Sequence, residues 1–358
     1  MTLKTTINGI QLNNPLMPAS GPIVGDAEKL AFIQDSGCGA VVTKTISKAL
    51  PEIPKPCIYG DKTFAMNSEL WSEIPYQTWI KEILPAHQKI KDRPLIVSVG
   101  YTKEDMAFLI PLLDPFADAF EISTHYVGTD LSVIENTVKT IRENTDKPIY
   151  MKISPHIPNP EAFAKTIKDA GANGIVAINS LGPAMRIDIA TRKIVYGNDQ
   201  GFVWMSGPAI KPVALATVYK IKQAEPDLTI IGVGGITTAD DVIEFLLAGA
   251  SAVQMLTGAL IKGKDLYQKI LTELPKSLDK YGFESVQSVI DTHLDKSVVY
   301  EANTPTLIKE KCIECMICKQ VCPYFAIDFT THITFNDDKC FQCGLCVSKC
   351  PKQAIIME

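Results

Sequence analysis

Apolar residues follow two alternating rhythms over roughly the first 260 positions. Short runs rich in Val and Ile are each followed by a longer stretch whose apolar residues return every three or four positions. The first rhythm predicts buried strands and the second amphipathic helices. Eight strands are predicted: Leu16–Ser20, Ala40–Thr45, Leu95–Gly100, Ala119–Ser123, Ile149–Ser154, Gly174–Ser180, Thr229–Gly234 and Ala252–Thr257. Predicted helices include Asp26–Ser36, Leu131–Asn144, Glu161–Ala170, Pro208–Gln223 and Ala239–Ala248. Asn159-Pro160 and Thr238-Ala-Asp-Asp carry cap and first-turn signals. The pairs Gly37-Cys38, Gly171-Ala172 and Gly249-Ala250 close other helices. Eight alternating units predict an α/β fold, the (β/α)8 TIM barrel. A doubly wound sheet would use fewer strands and a glycine-rich turn after the first, and MPASG is not that turn.

Two excursions break the rhythm. Ile46–Ile74 carries Pro51, Pro54, Pro56 and Asn67-Ser68; Leu181–Gly207 carries Arg186, Asp188 and Trp204. Both follow strands, so both belong to the barrel face on which active sites are built, where they are expected to wall or cover a substrate. Helical positions continue beyond Thr257 to Gly282. The expected domains are a barrel over residues 1–284, a linker over 285–306, and a small C-terminal α+β domain over 307–358.

That last segment contains the most specific pattern in the chain. Cys312, Cys315, Cys318 and Cys322-Pro323 are followed, in the same spacing, by Cys340, Cys343, Cys346 and Cys350-Pro351. Each copy is the C-x2-C-x2-C-x3-C-P run of a bacterial two-cluster ferredoxin, whose fourth Cys ligates the other cluster. One 4Fe-4S cluster is therefore expected on Cys312, Cys315, Cys318 and Cys350, and a second on Cys340, Cys343, Cys346 and Cys322. Zinc sites of CxxC type would have no use for the duplicated triple spacing.

Composition narrows the setting. Hydrophobic residues make up 46% and charged residues 21%, enough for a large buried core. The net charge of −5 is spread without long runs of one sign, which gives no nucleic-acid footprint. No apolar run reaches membrane-spanning length and the N-terminus lacks a signal-peptide pattern, so no membrane association is expected. Ten cysteines, eight of them in the cluster motifs, point to a reducing cytoplasm. Cys38 and Cys57 read as small buried apolar residues.

Polar residues gather at the C-terminal ends of the predicted strands: Ser20, Lys44-Thr45, Ser98, Ser123, Lys152, Asn179-Ser180, Gly234-Gly235 and Thr257. Two lysines ending apolar strands imply a bound anion or an electron-rich ring. The bare backbone of Gly234-Gly235, with the end of strand eight, offers the usual phosphate seat of a barrel. A phosphate there, with cationic and amide groups across the mouth, suits FMN.

The motifs NPLMPASG, VVTKT, MKISP, INS, SGPAIKP and GVGGI, with the later GA-x2-VQ, resemble those of class 1 dihydroorotate dehydrogenases and of the FMN domain of dihydropyrimidine dehydrogenase. The resemblance runs from about Asn13 to Leu260, and the tail is similar to the cluster segment fused to the dihydropyrimidine enzyme's barrel. It implies FMN contacts at Ala19, Ser20, Lys44, Thr45, Ser123, Lys152, Ile178, Gly207, Gly234, Gly235, Leu256 and Thr257. Lys152 would stabilise the reduced ring, and Asn67, Asn179 and Ser180 would face the substrate above it.

The departures concern strand four. The family pattern E-L-N-L-S-C-P-N is here Glu121-Ile-Ser-Thr-His125-Tyr126-Val-Gly128. By position the ring-binding Asn becomes Ser123, the acid/base Cys becomes Tyr126, and a second Asn becomes Gly128. Loss of such donors weakens pyrimidine recognition. Val203-Trp204 adds an aromatic wall where the family has glycines. The expected activity is therefore oxidoreduction of a CH–CH or C=C bond in a small cyclic or conjugated substrate. Tyr126 is the first proton-donor candidate, with His125 and then His156 as the others. Electrons would pass through both clusters to or from a ferredoxin or a separate NAD(P)H-oxidising flavoprotein subunit, since no GxGxxG site is present. The family also implies a homodimer. Two alternatives stand beside this reading: a true dihydroorotate or dihydropyrimidine dehydrogenase with a substituted acid/base, and a non-catalytic electron-transfer subunit.

Overall fold

The computed structural model describes residues 2–295 and 302–357. The chain divides into two compact units, Met1–Leu294 and Asp295–Glu358. In the first, eight strands run parallel: β1 Leu16–Pro18, β2 Val41–Val42, β3 Leu95–Val99, β4 Ala119–Ser123, β5 Ile149–Ile153, β6 Gly174–Ala177, β7 Thr229–Val233 and β8 Ala252–Met255. Neighbours in the sheet follow chain order from β2 to β8, and β8 then pairs with β1. The Gly39 N–H donates to the Leu16 carbonyl at 2.8 Å and brings the two ends of the sheet together. This is the expected TIM barrel. Every residue of β1 to β8 is buried except Thr229, as strands covered by helices on one side and a filled barrel on the other must be.

The helices begin where their caps dictate. Asp26, Thr102, Asn159 and Thr238 each accept a backbone N–H three residues on, and Thr102 and Thr238 complete capping boxes with Asp105 and Asp241. Caps of this kind contribute about 1 kcal/mol each.

The barrel interior changes character along its axis. At the N-terminal end Met17, Val42, Ile96, Ala119, Tyr150, Val176, Ile231 and Ala252 form an apolar plug. A hairpin of Thr5–Ile7 and Ile10–Leu12 closes that end with Ile7 and Leu12, turning through Asn8 and Gly9 at positive φ. Two residues further along the strands, the inward side chains include Ser98, Glu121, Lys152 and Gln254, all buried. The polar end is the C-terminal one.

The two excursions meet there as one antiparallel sheet, ordered Leu181–Ala184, Val203–Ser206, Ala65–Asn67, Ile58–Gly60. Trp204 pairs with Asn67 and Ser206 with Ala65. The expected linker needs correction at its start. Residues 286–290 form a helix whose Val286 and Val289 are fully buried, and the Val286 N–H donates to the Thr2 carbonyl at 3.1 Å. The barrel unit therefore continues past residue 284. Residues 296–301 of the predicted linker lie outside the described residues.

The second unit is a small α+β domain. It pairs Thr306–Leu307 with Ile355–Ile356 and Ile327–Phe329 with Ile333–Phe335, and each cysteine run leads into a short helix, Ile317–Val321 or Leu345–Lys349.

Candidate active site

A cavity of about 190 Å³ opens at the C-terminal ends of the barrel strands. Its walls include Ala19 and Ser20 after β1, Lys44 and Thr45 after β2, Ser123 at the end of β4, and Lys152 on β5. Ile178, Asn179 and Ser180 follow β6, Gly234 and Gly235 follow β7, and Leu256 and Thr257 follow β8. Asn67, Trp204 and Gly207 come from the excursions. All the cofactor and substrate candidates thus share one cavity.

Hydroxyl groups link the β1–β3 side: Ser20 Oγ lies 3.0 Å from Thr45 Oγ1, which lies 3.0 Å from Ser98 Oγ. After β8, which neighbours β1, Ser206 Oγ lies 2.8 Å from Thr257 Oγ1. Gly207, Gly234 and Gly235 all adopt positive φ. A Cβ on Gly235 would stand 2.8 Å from Lys211 Cβ and 2.9 Å from the Gly207 oxygen, and one on Gly234 would stand 2.9 Å from Ala214 Cβ. Bare backbone is required here, and it leaves a cradle of the kind that admits a phosphate.

The floor is charged but internally paired. Lys152 Nζ lies 3.2 Å from Glu121 Oε1, and Gln254 Nε2 donates to Glu121 Oε2 at 2.7 Å. Glu121 is fully buried. Gln254 Oε1 has no partner among the described residues, so one buried acceptor in the cavity floor is open to a ligand donor. Lys44 is also buried, with Glu69 and Glu73 each at 2.7 Å. The sequence read these lysines as implying a bound anion or an electron-rich ring; the structure also gives each a carboxylate.

The proton-donor candidates occupy different places. Tyr126 is not among the residues lining the cavity; its hydroxyl donates to the Asp130 carbonyl at 2.5 Å. His125 does line it, because its φ of 51° breaks the strand alternation after Thr124. The His125 ring meets water at the cavity mouth and packs against Tyr101, with centroids 4.8 Å apart and Tyr101 Oη 3.0 Å from Nε2. Burial of the rest of the ring, with the nearby Lys152 charge, lowers its pKa from 6.5 to about 4. Burial raises that of Tyr101, so the phenol keeps its proton. His156 is not among the residues lining the cavity; its Nε2 accepts the Gly182 N–H at 3.2 Å. Sequence reasoning missed Tyr101, Glu69 and Gln254 as site residues. Their signal was positional, since Tyr101 follows the end of β3, Glu69 follows Asn67 by two, and Gln254 lies in the VQ motif on β8.

The family model for dihydroorotate dehydrogenase matches residues 2–278. The chain belongs to the dihydroorotate dehydrogenase family. As a member it is a flavin-dependent oxidoreductase acting on a CH–CH group. Relatives include the catalytic subunits of dihydroorotate dehydrogenase B (NAD(+)) from Pyrococcus furiosus, 34% identical over 81% of this chain and 98% of that one, and from Anoxybacillus flavithermus, 36% identical over 79% and 93%. The subunit from Methanothermobacter thermautotrophicus is 33% identical over 80% and 97%.

In the second unit a model for a 4Fe-4S dicluster domain matches residues 311–354. Its thiols fall into two groups. Cys312, Cys315, Cys318 and Cys350 line one small cavity, and Cys322, Cys340, Cys343 and Cys346 line another. Positive φ at Glu314, Met316, Gln342 and Gly344 curls each run around its cavity. The Ala326 N–H donates to Cys322 Sγ at 3.4 Å and the Ala354 N–H to Cys350 Sγ at 3.2 Å. Such bonds favour charged sulfur.

Proposed function

We propose that this family member exchanges a hydride with a small, unsaturated, cyclic or conjugated substrate over FMN in the barrel mouth, and exchanges electrons through two 4Fe-4S clusters in the tail. The observation that carries this reading is that one cavity holds the glycine cradle at one side and the Tyr101–His125 pair at its mouth. FMN fits the donor set: backbone at Gly207, Gly234, Gly235 and Thr257 for phosphate, the open Gln254 acceptor for a ring N–H, and Lys152 over the floor for negative charge. When bound, FMN supplies hydride exchange at N5 and one-electron exchange with the clusters.

The remaining work falls to the chain. Asn67, Asn179 and Ser180 orient the substrate, and Trp204 walls it from water. In the oxidative direction neutral His125 takes the proton from the carbon adjacent to the one that gives up hydride. In the reductive direction the same path runs backward: protonated His125 returns that proton to carbon, and the Tyr101 hydroxyl holds the ring in place. The relatives are catalytic subunits of NAD(+) enzymes, which supports a separate NAD(P)H-oxidising flavoprotein, with ferredoxin as the other donor; a homodimer in the cytoplasm is the expected state.

A second reading, dihydroorotate oxidation, is favoured by identities of 33–36% to those catalytic subunits. Anaerobic reoxidation of the reduced protein separates the two. Rapid reoxidation by cyclic enones but not by orotate supports the first; rapid reoxidation by orotate replaces it with the second.

A further inference from the structure

The cavity has an unusual charge balance. Lys44 and Lys152 are the two cations among the described residues that line it, and both are already paired. Lys152 faces the fully buried Glu121. Lys44 has two carboxylates at 2.7 Å, so its single positive charge is matched or exceeded. Of those two, Glu69 lines the cavity and is 9% exposed, whereas Glu73 is 50% exposed and sits outside the lining.

Glu69 is also held in place. Its backbone N–H donates to Asn67 Oδ1 at 2.5 Å on the excursion after β2, and both residues line the cavity. Leu70, Tyr101 and Trp204 supply flat apolar surface at the same end. Burial raises the Glu69 pKa, with Glu73 adding to the rise against the pull of Lys44. A ligand donor or positive charge beside Glu69 would offset that cost, and a ligand carboxylate would add to it.

Resting on the reading of this cavity as the substrate site, we infer that the substrate carries no carboxylate and turns an N–H donor or a positively charged nitrogen, such as an amine or amidine, toward Glu69. Aromatic faces beside a carboxylate suit a planar nitrogenous ring. An acidic ring such as orotate meets no unpaired cation here.

Benzoate, benzamide and benzamidine place the three charge states on one ring. Each is titrated calorimetrically into the anaerobically purified full chain, and the flavin content of the same sample is measured after release. Benzamidine should bind about tenfold or more tighter than benzoate, with benzamide between. Glu69→Gln should erase or reverse that order, while Glu73→Gln should preserve it; thermal melts establish that both variants are folded. Benzoate binding as tightly as benzamidine, no measurable binding of any of the three, or an order unchanged in folded Glu69→Gln overturns the inference. A sample without flavin that still prefers benzamidine defeats the flavin reading alone, and a flavin-loaded sample that prefers benzoate defeats the charge inference alone.

Discussion

Glu121 Oε1 and Lys152 Nζ meet at 3.2 Å inside the barrel, where β4 and β5 place Ser123 beside Lys152 in register. The strand after a buried apolar plug thus ends in a charge pair on the cavity floor, and Gln254 from β8 completes it. On the proposed reading the pair would hold the amine toward the flavin, which would give a buried ion pair a positional role.

Removing one partner leaves the other charge buried alone, at a cost of about 3–5 kcal/mol. Glu121→Gln should lose stability on that scale in urea denaturation. Lys152→Met should retain less flavin as well. Unchanged stability in Glu121→Gln would mean that the pair is solvated.

His125→Asn should slow turnover by about 10²–10⁴-fold while flavin content stays at the wild-type value. Tyr126→Phe loses only the bond to the Asp130 carbonyl, about 1 kcal/mol of stability, and should keep nearly full activity. The reverse ranking in steady-state assays would return the proton to Tyr126.

The pH profile carries a sign. His125 must be neutral to accept a proton, and its pKa is lowered to about 4. The oxidative rate should rise as pH climbs through that region and stay level from about pH 6 to 8, where an ordinary imidazole near 6.5 would still be titrating. An inflection near neutrality, removed by His125→Asn, would contradict the lowered value.

In the tail, Cys350→Ala and Cys315→Ala should leave the same residual EPR spectrum, and Cys322→Ala and Cys343→Ala should leave the complementary one. Pairing by sequence order, Cys322 with Cys315, would contradict the crossed arrangement of the two cavities.

The barrel was legible because strands buried on both faces read as continuous apolar runs, and the clusters because thiol spacing is itself the geometry. Strand ends were less so: Ala40–Thr45 was expected, yet the strand is Val41–Val42, with Lys44 beyond it. The preference for Tyr126 rested on its matching the position of the family Cys; the left-handed turn at His125, which brings that ring to the cavity, is announced by no residue pattern. Glu69 lies 25 residues from Lys44, so their pairing depends on how the excursion folds back. The same fold-back joins Asn67 to Trp204, which local periodicity does not encode.

The most direct measurement is flavin and iron per chain in anaerobically purified protein, with Gly235→Val as comparison. A valine there would run into Lys211 Cβ and the Gly207 carbonyl, 2.8 and 2.9 Å from its Cβ. The account predicts close to one FMN and two full clusters in the wild type, with flavin lost and iron kept in the variant. Wild-type protein with full iron and no flavin, or a folded variant that keeps its flavin, would contradict it.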